Sequence, residues 1–130
     1  MTNQTIEQKR ALSALKEIKE ISKKDDKTQS SFSSYIKRLP AAIVMNGLGI
    51  ALAFEKSKEK KDEGHKLVYK AISNWLTSDE GVYKNSNDLI NAIMENDQEK
   101  YLLAQVEALA YTQWLKMFST AYLKGGDNEQ

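Results

Sequence analysis

The side chains able to do acid–base, nucleophilic or metal chemistry are few and scattered. His65 is the only histidine, it closes the charged run EKSKEKKDEGH, and the chain has no cysteine. A di-iron helical bundle needs paired Glu-x-x-His motifs and a HExxH zinc site needs two histidines on one helix, so one histidine supplies neither. The serines have no His and Asp constellation to activate any of them. Glu95, Asp97 and Glu99 gather at a helix junction, where they read either as a Mg²⁺ site or as an acidic turn in which Asp97 caps the next helix. Asn46-Gly47-Leu48-Gly49 lacks the lysine and the preceding strand of a phosphate-binding loop. The expectation is a chain with no catalytic residue, no metal and no cofactor.

Contact with a polyanion is the chemistry left open. The only two arginines, Arg10 and Arg38, both fall in the N-terminal third. Residues 1–38 hold nine Lys/Arg against five Asp/Glu, whereas residues 79–107 hold two lysines against seven acids, so the net charge of +1 conceals a dipole. A freely acting nucleic-acid binder carries a domain-wide basic excess. This layout suits one basic face on RNA and another face on a protein neighbour. Lys37 and Arg38, just before Pro40, and the cluster Lys23, Lys24 and Lys27 are candidate phosphate contacts. Arginine offers a planar fork and lysine a flexible point charge, and such contacts are sequence-independent and salt-sensitive. Lys23 to Lys27 reads equally well as a solvated turn, and Arg10 as the partner of an acid inside the fold. Lys116 and Lys124 could extend a basic face.

The elements that must position these residues are helical. Ile6, Ala11, Ala14, Leu15, Ile18 and Ile21 form one helical stripe over residues 4–22. Thr28 to Ser34 is polar except for Phe32, which predicts a loop, followed by a short helix carrying Phe32, Tyr35, Ile36 and Leu39. The hub is YIKRLPAAIVMNGLGIALAF, Tyr35 to Phe54; from Ala41 onward its only strongly polar side chain is Asn46. At about fourteen apolar residues it falls short of the roughly twenty that cross a bilayer. It reads as a buried central helix over about 40–56, with Pro40 in its first turn and a break or kink at Leu39. Within it Asn46 needs hydrogen-bond partners, and Gly47 and Gly49 suggest close approach of a neighbour. Lys66 to Leu76 is helical, with Trp75 in the core. Ser86 or Asn87 is a candidate cap for a helix carrying Leu89, Ile90, Ile93 and Met94. A last helix spans about Glu99 to Leu123, and its aromatic stripe Tyr111, Trp114 and Phe118 is assigned to the core.

The expected fold is therefore all-α, a single-domain bundle of about six helices over residues 1–124, with a disordered tail at 125–130. The absence of cysteine, of a signal-peptide apolar core and of any apolar run of spanning length predicts a cytoplasmic protein without membrane contact.

The hub pattern Y-x-K-R-L-P-x-x-I-x-x-N-G-L-G-x-A-L-A-F, together with Gln8-Lys9-Arg10-Ala11 and, within Tyr101 to Phe118, Tyr101, Glu107-Ala108-Leu109 and Trp114-Leu115-Lys116, strongly resembles the small all-helical subunit of the type III-B CRISPR RNA-targeting effector, the Cmr complex. The likeness runs from about residue 8 to about residue 122. It implies a non-catalytic subunit that stacks head-to-tail with copies of itself, lies beside the backbone subunit carrying the guide RNA, and helps to hold the target RNA. Opposite charge at residues 1–38 and 79–107 suits such heterologous stacking. The alternative is a helical adaptor that binds protein and never touches nucleic acid. A helix-turn-helix regulator on DNA is weaker, because Gly47 to Gly49 sits in the most apolar segment. The loop Glu55 to Gly64 and the acidic stretch 79–99 are generic by comparison.

Overall fold

Side-chain caps divide the chain into helices. In the computed structural model, which describes residues 3–126, these are α1 (Ile6–Ile21), α2 (Asp26–Asn46), α3 (Leu48–Ser57), α4 (Glu63–Leu76), α5 (Leu89–Glu95) and α6 (Gln98–Tyr122). No strand occurs among the described residues. Thr5 and Gln8 form a reciprocal capping box at the start of α1, with bonds of 3.0 and 2.9 Å. Asp25, Asp62, Asp88 and Asp97 accept backbone N–H groups at the starts of α2, α4, α5 and α6. Each such cap contributes about 1 kcal/mol. The cap of α5 is thus Asp88 rather than Ser86 or Asn87; the Ser86 hydroxyl instead accepts the Asp88 N–H.

α2 lies at the centre, packed on α3, α4 and α6, while α1 lies across α6 and α4 and α5 leans on α3. Phe32, Ile36, Leu39 and Ile43 recur every three or four residues along α2 and are fully enclosed. Ala14, Ile18 and Ile21 of α1, Leu48 and Leu52 of α3, Val68, Ile72, Trp75 and Leu76 of α4, and Ala104, Ala108, Tyr111 and Leu115 of α6 close around them. Each enclosed leucine or isoleucine contributes about 2 kcal/mol relative to an exposed one. Trp75 and Tyr111 lie in the core as their spacing implied, stacked with centroids 5.4 Å apart, whereas Trp114 is only partly buried. No helix among the described residues is long and apolar enough to cross a membrane.

Three expectations about the hub and the segment before it are corrected. First, Thr28 to Ser34 is helix, not loop. Its polar residues are satisfied inside the fold: buried Gln29 donates to the Ser22 and Lys24 carbonyls (3.0 and 2.8 Å) and accepts from the Lys124 N–H, and buried Ser33 meets Ser119. Second, Pro40 lies in the interior of α2 and Leu39 marks no break. A mid-helix proline removes one backbone bond, and the enclosed side chains on either side of it, Ile36, Leu39 and Ile43, outweigh that loss. Third, the central helix predicted over about 40–56 is two helices, parted at Gly47, and it is not enclosed all round. Val44, Met45, Ile50 and Phe54 are exposed, and so is Asn46, which needs no buried partner.

Gly47 supports the parting. It adopts φ +90°, where a side chain is strained, while its N–H still closes α2 onto the Ile43 carbonyl at 2.7 Å. A Cβ there would stand 3.0 Å from the Tyr101 hydroxyl; at Gly49 the same hydroxyl would be at an ordinary 3.5 Å. The close approach expected of both glycines is thus confined to Gly47. α3 has no capping side chain of its own. Its first N–H groups are bonded from α6 instead, Leu48 to the Gln105 side-chain oxygen at 3.0 Å and Gly49 to the Tyr101 hydroxyl at 2.9 Å.

At the other end, Gly125 and Gly126 fold back on α2: Gly125 lies against Ser30, and the Gly126 carbonyl accepts from the Lys37 ammonium. The rest of the expected tail, residues 127–130, lies outside the described residues.

Candidate nucleic-acid interface

The basic residues selected from the sequence meet different fates. Arg10 reaches from α1 to Glu107 of α6 as a two-pronged pair, with Nη2 at 2.9 Å from one carboxylate oxygen and Nε on the other. The Trp75 indole N–H donates to that carboxylate at 2.8 Å, and the neighbouring Ser13 and Tyr111 hydroxyls are 2.9 Å apart. Burial pushes the Glu107 carboxyl up, but the bonds from Arg10 and Trp75 outweigh it and hold the group below the usual range. Arg10 is therefore a clamp between helices and is corrected as an RNA candidate. Lys37 is half-buried and bonded to the Gly126 carbonyl. Lys24 pairs with Glu63 at 2.9 Å and Lys23 with Glu20 at 3.3 Å, both on the surface, where solvent screens such pairs and they contribute little. Lys116 is half-buried on α6, apart from the residues described next. Lys124 is exposed and contributes its backbone N–H to Gln29.

Arg38 and Lys27 remain. Both are exposed and neither makes an ion pair to the described residues. They stand eleven residues apart on α2, close to three full turns, so they share one face about 16 Å apart along the axis. The Arg38 guanidinium carbon lies 5.2 Å from the centroid of the Tyr35 ring.

Arg38 stands at the mouth of a cleft of about 540 Å³ between α2, α3 and α4. Leu39, Ala42 and Ala51 supply its apolar lining, Phe54, Ile50 and Asn46 its outer wall, and Tyr35, Glu55 and His65 its inner end. The His65 ring stacks flat on Tyr35 at 3.7 Å and meets the Phe54 ring edge-on at 5.9 Å. Its Nδ1 is 2.7 Å from the buried Glu55 carboxylate, which burial pushes up and the His65 contact pulls back. The Tyr35 hydroxyl donates to Asp62, the cap of α4; this bond, then burial, raises the phenol, and it holds Asp62 below its usual range. Three helices are thus joined by two polar pairs, linked through the stack of His65 on Tyr35. Phe54 is half-exposed, not core, and the Lys58 ammonium sits 5.6 Å from its ring centroid.

Sequence reasoning missed this assembly because it placed His65 in a charged loop. Asp62 followed by the periodic Leu67, Val68, Ala71 and Ile72 was the available signal, since an aspartate cap there starts the helix before His65. At the acidic junction Asp97 accepts the Lys100 N–H at 2.9 Å as a cap, and among the described residues no group of three or more His, Cys, Asp or Glu is placed to hold a metal.

Comparison with known proteins bears on most of the chain. The family model described as CRISPR-associated protein (Cas_Cmr5) matches residues 6–122. The X-ray crystal structure of a CRISPR-associated Cmr5 family protein from Thermus thermophilus superposes with a TM-score of 0.73. The match covers 92% of this chain and 99% of that one at 24% identity, a likeness of fold.

Proposed function

The chain belongs to the CRISPR-associated Cmr5 family, and on that premise we propose that it is a non-catalytic structural subunit of a type III-B CRISPR ribonucleoprotein effector. Copies stack head-to-tail beside the backbone subunit that carries the guide RNA, and the two rows line the groove in which guide and target pair. Base pairing supplies the specificity of such an assembly, so its protein parts need only sequence-blind contact with the backbone. The observation that supports RNA contact by this chain is Arg38, an exposed guanidinium with no carboxylate partner among the described residues, on the same face of α2 as Lys27. Arg10 and Lys37, whose bonds within the fold are partly buried, serve its stability first.

The test has two parts. The tagged chain is recovered from its native cell with and without ribonuclease; CRISPR-associated proteins and a short guide RNA should come with it. Arg38→Glu with Lys27→Glu should then weaken target-RNA retention at physiological salt while the helical content and melting temperature hold. Recovery of the chain alone, or unchanged retention, contradicts the proposal.

A second reading is a protein adaptor without nucleic-acid contact. It is favoured by the outer side of α6, where Leu102, Val106 and Met117 are 53, 68 and 66% exposed opposite the enclosed Ala104, Ala108, Tyr111 and Leu115. A helix apolar on both sides calls for a cover. Salt-sensitive RNA crosslinks near Arg38 separate the two readings.

A further inference from the structure

The cleft at Arg38 has the wrong shape for a simple phosphate contact. A phosphate needs only an exposed guanidinium, yet here the guanidinium stands over an apolar cleft of about 540 Å³. That volume lies in the range of built small-molecule sites, which pair apolar walls with a few convergent polar groups. The walls combine planar rings, the half-exposed Phe54 and the stacked Tyr35 and His65, with the aliphatic side chains of Ala42 and Ile50. The polar groups at the opening are the Asn46 amide and Arg38, with Lys58 beside Phe54. Both carboxylates near the inner end are hydrogen-bonded, Glu55 with His65 and Asp62 with Tyr35 and the Gly64 N–H, which leaves Arg38 as the charged lining group without a hydrogen-bonded partner among the described residues.

We propose that this cleft is a nucleotide subsite that takes one unstacked base of single-stranded RNA, with its phosphate on Arg38. Single-stranded RNA is read by stacking splayed bases on aromatic rings and bonding their edges, while the backbone follows a basic track. Phe54 supplies the ring and Asn46 an amide able both to donate to and to accept from a base edge. Arg38 supplies a fork for the phosphate. An apolar side chain of a protein partner would use the walls and leave Asn46 and the cationic mouth unanswered. The buried Glu55–His65 pair and the Tyr35–Asp62 bond fix the three helices that form the cleft, so it is preformed. This proposal rests on the RNA-contact reading above and adds to it a base, where that reading requires only the backbone.

The experiment compares two probes of equal length and charge, a short single-stranded RNA of mixed sequence and its abasic counterpart, on the full chain and on the effector assembled around it. The unmodified protein should hold the base-bearing strand about tenfold more tightly than the abasic one, as one base–ring stack implies. Phe54→Ala should remove most of that ratio and Phe54→Trp should retain it. Arg38→Gln should weaken both probes alike. Phe54 is half-exposed, so Phe54→Ala should fold, which its thermal melt checks. Equal binding of both probes, with Arg38→Gln still weakening them, overturns the base subsite and leaves the RNA-contact reading intact. Binding of neither probe overturns both. Loss of protein subunits from the assembly on Phe54→Ala, with RNA binding unchanged, makes the cleft a protein joint and also overturns the proposal.

Discussion

The two arginines of this chain stand in matched company and do opposite work. Each has a tyrosine and a glutamate in its surroundings: Glu107 and Tyr111 of α6 for Arg10, and Glu55 of α3 with Tyr35 of its own helix α2 for Arg38. At the first, Glu107 faces Arg10, Trp75 donates to the same carboxylate, and Tyr111 seals the site against the core. At the second, Glu55 is claimed by His65 and Tyr35 by Asp62, so Arg38 keeps only the face of the Tyr35 ring. A charge whose partners are used up inside the fold holds helices together. A charge whose neighbours are already paired with one another is left for an outside ligand. The difference is one of bookkeeping among acids, not of the basic residue itself.

The closed site should break hardest. Glu107→Ala strands a partly buried guanidinium and an indole N–H together, and a loss of about 3 kcal/mol is expected in urea unfolding. A change smaller than that of an ordinary surface pair would mean that Arg10 is not a clamp. Acid should reproduce part of this loss. The Glu107 carboxyl is held below its usual range in the folded state, so its stabilisation is present above the ordinary carboxylate range and fades as pH falls through the folded value. Glu107→Gln should therefore flatten the acid limb of stability against pH; an unchanged limb would assign acid sensitivity elsewhere.

The open site depends on how α3 is held, and changes there should be milder. Gly47→Ala places a side chain at φ +90° and against the Tyr101 hydroxyl, and about 1–2 kcal/mol should be lost. Tyr101→Phe removes the acceptor for the Gly49 N–H and should cost about 1 kcal/mol, with faster amide exchange confined to the first turn of α3. Exchange unchanged in that turn would show that α6 does not anchor it. The smallest effect on stability is expected at Arg38→Gln, within about 0.5 kcal/mol of the parent, since no ion pair is lost.

Legibility followed the same divide. Apolar spacing gave the number of helices and located α1, α4, α5 and α6, with Trp75 and Tyr111 in the core, but it set the division between α2 and α3 at Leu39 rather than at Gly47. The hub pattern also led to the family. What escaped were places where polar residues are satisfied across the fold. Gln29 and Ser33 made Thr28 to Ser34 resemble a loop, because a sequence does not show that their partners are Ser22, Lys24, Ser119 and the N–H of Lys124. Gly47 ends one helix and begins the next in a single residue, and the groups that cap α3 lie more than fifty residues away. Composition marked Arg10 and Arg38 as equals, and it left open whether Arg10 had an acid inside the fold. Only the placement of Glu107, Glu55, His65 and Asp62 separated them.

That separation is tested most directly by the salt dependence of single-stranded RNA binding to the assembled complex, with Arg38→Gln and Arg10→Gln compared below their melting temperatures. Arg38→Gln should lower the slope of log affinity against log salt by about 0.7 for each copy in contact, the value of one phosphate contact on a single strand. Arg10→Gln should lower the melting temperature and leave the slope as it was. Equal slopes for the parent and Arg38→Gln, or a slope that falls with Arg10→Gln, would contradict the account.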